Sequence, residues 1–256
     1  MRKLSYRSRG TKKLFLAVVL IAISSVVSII SNYKDMGVLK ILHRKLPIYS
    51  VSTEDKKVAV TFDISLGDEE NTEKILDILD KYQAKATFFL VGRWIDDNEK
   101  YAKEIVERGH ELGNHSDKHP DMTQMSKGKI TADIMSCEAK IIAATGHGTK
   151  LFRSPEGAYN DTIIEAAEEA GFFNVQWDVD SIDWKEEGAS IEYNRVIKKT
   201  KPGSILLFHN TAKYTPETLP RVLETLQKDG YTFVKVSDLI YKDNYYIDAS
   251  GKQIPK

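Results

Sequence analysis

Strands and helices alternate along this chain with short connections, which predicts an α/β fold built on a mainly parallel sheet. Three observations carry the prediction. Short apolar, β-rich runs recur between segments of helical period, as in residues 58–62, 86–91 and 204–208. Those runs are continuously apolar rather than alternating, as strands covered on both faces are. Glycines at 109, 146, 171 and 230 follow the helical segments, where a chain leaves a helix. The strands number about seven, so a closed or nearly closed β/α barrel competes with an open sheet.

The elements follow in order. A short strand near residues 48–51 precedes the β-rich run Val58-Ala59-Val60-Thr61-Phe62. Residues 70–82 place Ile75, Leu76, Ile78 and Leu79 on one helical face. Residues 86–91 form a buried strand ended by Gly92, and 101–108 a helix ended by Gly109. Residues 111–113 are strand-like. A helix over 130–144 carries the lone cysteine, Cys137, which reads as a small buried hydrophobe. Leu151-Phe152 is a short strand, 161–170 a helix and 172–177 a strand. A helix over 191–199 is closed by Lys201-Pro202-Gly203, and the strand 204–208 follows. A helix over 216–228 and a last strand over 231–236 complete the pattern.

A chain of 256 residues holds one catalytic domain with a sizeable core plus a small appendage. Zero formal net charge argues against a nucleic-acid coat, and a single cysteine excludes an intramolecular disulfide or a CxxC site. The N-terminus is asymmetric. Arg2, Lys3, Arg7, Arg9, Lys12 and Lys13 precede an uncharged apolar run over 14–30. That run is long enough, or nearly so, to cross a membrane as a helix, with the basic end inside. A cleaved signal peptide competes, although no small-x-small site follows the run. The resulting layout is a basic cytoplasmic tail (1–13), a signal anchor (14–33), a spacer (34–55), a catalytic domain (56–241) and a polar tail (242–256) that trails off. It makes the protein single-pass in the cell membrane, with the domain outside.

Chemistry-bearing residues collect after the strands. Asp63 ends the strand 58–62, His115 and His119 follow 111–113, and Arg153 follows Leu151-Phe152. Asp178 and Asp180 follow 172–177, with Asp183 just beyond, and His209 follows 205–208. In β/α folds the strand C-termini face one way and the site forms there. Each residue has a bland reading: Asp63 as a helix cap, Arg153 as a surface ion pair, Asp183 as a turn residue, Trp184 as a core aromatic. Chance does not favour titratable groups at one end of so many strands. Two His at i and i+4 can meet one ion if the segment coils by a turn.

These residues sit in five ordered motifs: Thr61-Phe62-Asp63, Asn114-His115-Ser116-x-x-His119-Pro120, Arg153-Ser154-Pro155-Glu156-Gly157, Asp180-Ser181-Ile182-Asp183-Trp184 and Leu207-Phe208-His209. From about residue 56 to 240 the chain resembles the polysaccharide deacetylase domain of carbohydrate esterase family four. Within it, the chain looks most like the sporulation-associated deacetylases of Gram-positive spore formers. The resemblance implies a distorted, roughly seven-stranded β/α barrel. It implies hydrolysis of N-acetyl groups from amino sugars of peptidoglycan or chitin-like polymers. His115 and His119 would hold a divalent metal, zinc above others. Asp63 would be general base and His209 general acid. Arg153 would keep Asp63 ionised, and Asp183 would orient His209. The Glu156 backbone N–H would face the oxyanion. Trp184 and Leu207 would wall the acetyl pocket. The partner implied is cell-wall polysaccharide, with no nucleic acid; nothing in the chain fixes an oligomeric state.

One departure stands out. The family's first motif continues with a second Asp that ligates the metal, and here that position is Ile64. Two His alone make a poor catalytic site. Asp63 itself, or Asp68, Glu69 or Glu70, would have to supply the third ligand. Otherwise the chain is a catalytically weak glycan-binding relative acting in wall or spore assembly.

Overall fold

The apolar run at 58–62 becomes the middle of the sheet. In the computed structural model, which describes residues 19, 23–28, 45–67 and 70–256, strand β2 covers Lys57–Ile64 and is buried from Val58 onward. Before it lies β1 (Ser50–Val51). After it come α1 (Thr72–Lys81), β3 (Ala86–Leu90), α2 (Gly92–Glu107), β4 (Glu111–Asn114) and α3 (Lys127–Thr145). Then follow β5 (Leu151–Phe152), α4 (Asp161–Glu169), β6 (Phe173–Asn174), β7 (Val179–Asp180) and α5 (Ala189–Lys199). The chain continues through β8 (Ile205–His209), α6 (Thr215–Lys228), β9 (Thr232–Phe233), α7 (Val236–Leu239), β10 (Tyr245–Ile247) and β11 (Lys252–Pro255).

The sheet runs β6-β5-β4-β3-β2-β8-β7, with β9 attached to the start of β2, and the pairs are parallel. This path of seven parallel strands forms a half-barrel, open because β6 and β7 do not pair with each other. Side chains alternate along a strand. On β2, Val58, Val60, Phe62 and Ile64 join the apolar cluster beneath the helices. Phe62 stacks on Phe88 at 4.9 Å and lies 5.9 Å from Phe208. Each such ring contributes about 1.5–3 kcal/mol by leaving water. Helix α1 buries Ile75, Leu76 and Leu79 against this layer, as its periodicity predicts. Cys137 is buried in α3, and Gly146 ends that helix in the left-handed region.

Several local expectations change. Helix α2 begins at Gly92, well before residue 101, with a non-helical Asn98 inside it. The strand expected over 172–177 is only two residues long, and β7 is an additional strand. The expected last strand shrinks to β9, and α7 follows at once.

The largest correction concerns the flanks. The chain divides into a unit of residues 1–45 and a unit of residues 46–256. In the first, residues 19 and 23–28 are helical and exposed; the rest of the anchor expected at 14–30 lies outside the described residues. Among the described residues no helix is long and apolar enough to cross a membrane. In the second unit, part of the expected spacer is structural. Ile48 bridges Val175 beyond β6, and Ser50 bridges Ser204 before β8. Residues 48–51 thus fill the seam between the sheet's two ends. Gly203 is required there: at φ +80 its added Cβ would sit 1.9 Å from the Val51 carbonyl oxygen. The tail does not trail off. β11 pairs with β1 and β10, and the buried Gln253 side chain bonds both the N–H and the carbonyl of Tyr241.

Candidate active site

The face of β2 opposite the helices carries Ala59, Thr61 and Asp63 into the barrel interior. Asp63 lies in register with His209 on β8 and with Phe89 on β3. His115 follows β4 directly, and Arg153 follows β5. The polar residues expected at the strand C-termini do converge.

Arg153 is the keystone. Its guanidinium is fully buried, a state that costs several kcal/mol unless the charge is met. Nη1 donates to Asp63 Oδ1 at 2.6 Å and to Thr61 Oγ1 at 2.9 Å. Nε and Nη2 donate to the carbonyls of Val175 and Gln176 at 3.3 and 3.1 Å. Phe89 and Trp177 present their rings to the guanidinium carbon at 4.0 and 5.3 Å. Arg153 is therefore no surface ion pair, and Asp63 no helix cap. Burial works to raise the Asp63 pKa, but the charge of Arg153, with His115 and His209, outweighs it and holds the carboxyl below its ordinary range.

The two imidazoles of the second motif lie in contact, ring centroids 5.0 Å apart at 73°. His115 Nδ1–H donates to the Arg153 carbonyl at 2.8 Å, which leaves Nε2 as the lone-pair nitrogen. Burial pushes its pKa down to about 4, so the ring is neutral at pH 7. Its Nε2 faces Asp63 Oδ2 at 3.5 Å. Two lone pairs thus oppose each other in a buried site.

His209 has the opposite surroundings. Its Nδ1 lies 2.7 Å from Asp183 Oδ1, and its backbone N–H donates to Asp183 Oδ2 at 2.8 Å. Thr215 Oγ1 donates to the same Oδ2 at 2.7 Å. Burial works to lower the His209 pKa, but the bond and charge of the fully buried Asp183 prevail and raise it above 6.5.

These donors do not complete a three-ligand metal site. Among the described residues no group of three or more His, Cys, Asp or Glu is placed to hold an ion. Ile64 pairs with Leu90 and is fully buried on the outer face of β2. A carboxylate at that position of this strand would point toward the helix layer, not toward the imidazoles. Glu70 is committed elsewhere: Oε2 accepts from Trp94 Nε1 at 2.8 Å and Asn210 Nδ2 at 3.1 Å, and Oε1 from the Thr72 N–H at 2.8 Å. Asp68 and Glu69 lie outside the described residues. Asp63 Oδ2 is the described carboxylate oxygen beside His115.

The remaining expected residues flank this centre. Leu207 is buried on β8, two residues before His209 and so on the same face. Trp184 is 60% exposed, which rules out a core aromatic. Glu156 is exposed and takes φ 57 in the turn after Arg153. Several contributors escaped the sequence reading. Thr61 shares the face of Asp63 and was detectable from the two-residue period of a strand. Trp177 donates to Asp180 Oδ2 at 3.2 Å and stacks on Arg153. Thr215 and Asn210 act across long sequence separations, with no local signal; Glu70, expected as a possible metal ligand, instead braces Asn210 and Trp94.

Residues 50–175 match the family described as Polysaccharide deacetylase. The chain is 36% identical over 194 residues to the uncharacterized protein YlxY of Bacillus subtilis, covering 76% of this chain and 60% of that protein. It is 31% identical to the peptidoglycan-N-acetylmuramic acid deacetylase PdaA of Bacillus subtilis, covering 76% of this chain and 75% of that enzyme. With a peptidoglycan-N-acetylglucosamine deacetylase of Bacillus cereus the identity is 36%, over 75% of this chain and 92% of that enzyme. Among solved structures, a CE4 family pseudoenzyme from Bacillus anthracis superposes with a TM-score of 0.72 at 36% identity, covering 75% of this chain and 68% of that one. A mutant of that pseudoenzyme, described as having restored enzymatic activity, superposes equally well at 37% identity, over 75% and 70% of the two chains.

Proposed function

The chain belongs to the polysaccharide deacetylase family, and from that premise we propose that it hydrolyses the N-acetyl groups of amino sugars in cell-wall glycan. One observation carries the reading. Asp63 is held ionised and His209 is held toward its protonated form, in register on neighbouring strands. That is the starting state for a base and an acid acting on one amide. Asp63 takes a proton from the attacking water, whose oxygen bonds to the acetyl carbonyl carbon. His209, with Nδ1 fixed on Asp183, gives its Nε2 proton to the departing nitrogen. The C–N bond breaks, and acetate and a free amine leave. Arg153 keeps Asp63 from being neutralised by burial. The Glu156 N–H is assigned to the developing oxyanion, and Leu207 and Trp184 to the acetyl methyl.

The test is acetate release from peptidoglycan and from chitooligosaccharides by the full chain, with added Zn2+ and with a chelator. Release above that of Asp63→Asn supports hydrolysis, and dependence on added metal would show that an ion takes part. A second reading has its own support. Ile64 in the core removes the third ligand, and the Bacillus anthracis structure similar to this chain is described as a pseudoenzyme. On that reading the chain sediments with peptidoglycan sacculi but releases no acetate under either condition. We also propose that the domain lies outside the cell membrane, held by the apolar run at 14–30 behind six basic residues. Protease added to intact cells should then digest the domain.

A further inference from the structure

One face of helix α3 holds the loop that carries the two imidazoles. Asp133 Oδ1 accepts the Asp117 N–H at 2.9 Å, midway between the two imidazoles. Ser116 Oγ accepts the His119 N–H at 2.8 Å. Next to Asp133, the Ile134 carbonyl accepts from Asn114 Nδ2 at 2.8 Å. One turn on, Cys137 Sγ donates to the Leu90 carbonyl at 3.3 Å. That carbonyl also accepts the His115 N–H at 2.9 Å. Two turns on, Lys140 Nζ lies 2.8 Å from Asp117 Oδ1. Positions 133, 134, 137 and 140 share one face of a helix of 3.6 residues per turn.

The loop needs such a hold. Ser116 and His119 have φ of 68 and 54, a region that non-glycine residues keep only when their surroundings fix it. Neighbouring contacts from α2 reach the loop too: Gly92 and Arg93 donate to the carbonyls of Ser116 and Asp117. Asn114 Oδ1 accepts the Ser116 N–H at 3.0 Å, so α3 holds the loop at two points, through Asn114 on the Ile134 carbonyl and through Asp133 on the Asp117 N–H.

We infer that Asp133 is a positioning residue of the imidazole pair, with Cys137 and Lys140 supporting it from the same helix face. It touches no reacting atom. It gathers the backbone between His115 and His119 so that the rings meet, and it ties their spacing to α3. Groups that orient a site's side chains in this way ordinarily matter roughly 10–100-fold to its activity or metal affinity.

The inference is tested without turnover, so its outcome is separable from the deacetylase reading. Ring-nitrogen correlation spectra and amide hydrogen exchange are recorded on the full chain for the wild type, Asp133→Ala, Asp133→Asn and Asp121→Ala. Asp121 is the control, because its carboxylate bonds only Thr123 at the far end of the same loop. The expected result is that Asp133→Ala shifts the His115 and His119 ring signals. It should also lower Asp117 amide protection at least about tenfold while Val60 stays protected. Asp133→Asn keeps one acceptor oxygen and should restore protection at Asp117. Asp121→Ala should leave both rings unchanged. A folded Asp133→Ala whose ring signals match the wild type overturns the inference, even if it melts lower. If Asp133→Ala does not fold, Asp133→Leu, which fills a similar space with no acceptor for the Asp117 N–H, decides: ring signals that match the wild type overturn it equally.

Discussion

His115 and His209 stand at the same end of the sheet, one just after β4 and the other at the end of β8, on either side of Asp63, and their surroundings push them in opposite directions. His115 is oriented by a neutral group, the Arg153 carbonyl, and burial takes its pKa down to about 4. His209 is oriented by the Asp183 carboxylate, and its pKa rises despite burial. The charge of the orienting partner decides the role. A carbonyl leaves a neutral ring with a lone pair facing inward. A carboxylate favours an imidazolium with a proton to give. Asp63 lies between them and is drawn down by both neighbours and by Arg153.

The most severe way to break this pairing is to remove the base or the acid. Asp63→Asn and His209→Ala should each lower acetate release by roughly 10²–10⁴-fold with the melting curve still cooperative. If either keeps more than about a tenth of the activity, it leaves the mechanism. Arg153→Met attacks the charge that holds Asp63 ionised. It strips a buried ion pair of one partner, which costs about 3–5 kcal/mol, measurable by urea unfolding. The double variant with Asp63→Asn should recover part of that loss, because the carboxylate left behind is then neutral. No recovery would mean that the lost hydrogen bonds to Thr61, Val175 and Gln176 dominate.

The alternation of strands and helices was legible because each apolar run is local and continuous. Asp63, His115, Arg153, Asp183 and His209 were legible for a related reason: each follows a strand, and the motifs fix their order. The seam was not. Residues 48–51 and 252–255 are two short pieces whose pairing spans about two hundred positions, and nothing local in Lys252-Gln253-Ile254-Pro255 announces a strand. Thr215 and Asn210 were hidden in the same way, by contacts across 32 and 140 residues. Ile64 teaches a different lesson. Read as a missing ligand, it invites restoration with Asp. Read by strand alternation from Thr61 and Asp63, it already belongs to the face of Phe62.

Ile64→Asp therefore sharpens the contrast between the two faces of β2. Its carboxylate would enter the cluster of Phe62, Leu90 and Trp94. The expected cost is about 3 kcal/mol or more in urea unfolding, with no gain in zinc affinity. Tighter zinc binding with metal-dependent stabilisation would mean that the strand ends one residue earlier and turns the side chain inward.

Acid titration of stability compares the two histidines more gently. His115 is neutral in the folded chain and protonates below about 6.5 once unfolded. The unfolded state then binds more protons, so stability falls as pH drops from 6.5 toward about 4. The loss is up to roughly 3 kcal/mol. His110, also lowered to about 4 by burial, adds a slope of the same sign. His115→Gln should hence remove only part of it. His209 runs the other way: its contribution is present below 6.5 and is lost as pH rises through its raised value. His209→Gln should flatten stability on that alkaline side. Slopes of one sign for both variants would sink the contrast.

The change mildest in shape removes the orienting charge and one of its two acceptor oxygens. In Asp183→Asn the single oxygen can keep the His209 N–H and Thr215 Oγ1, which turns the amide NH2 toward ring Nδ1, a donor that a neutral ring can accept and an imidazolium cannot. The substitution removes the carboxylate, which supplies both the bond and the attraction that raise the His209 pKa. What remains is burial, which favours the neutral ring. Titrated by the ring signals of the full chain, His209 should fall below its wild-type value and move toward the behaviour of His115. His115 itself should not move, because its orienting partner is the Arg153 carbonyl. The hydrolytic rate should fall most steeply on the alkaline side, where less of His209 carries the proton. If His209 titrates as before, Asp183 is not what sets it. Asp63 and Asp180, the other carboxylates whose charges raise it, would then be the next to change.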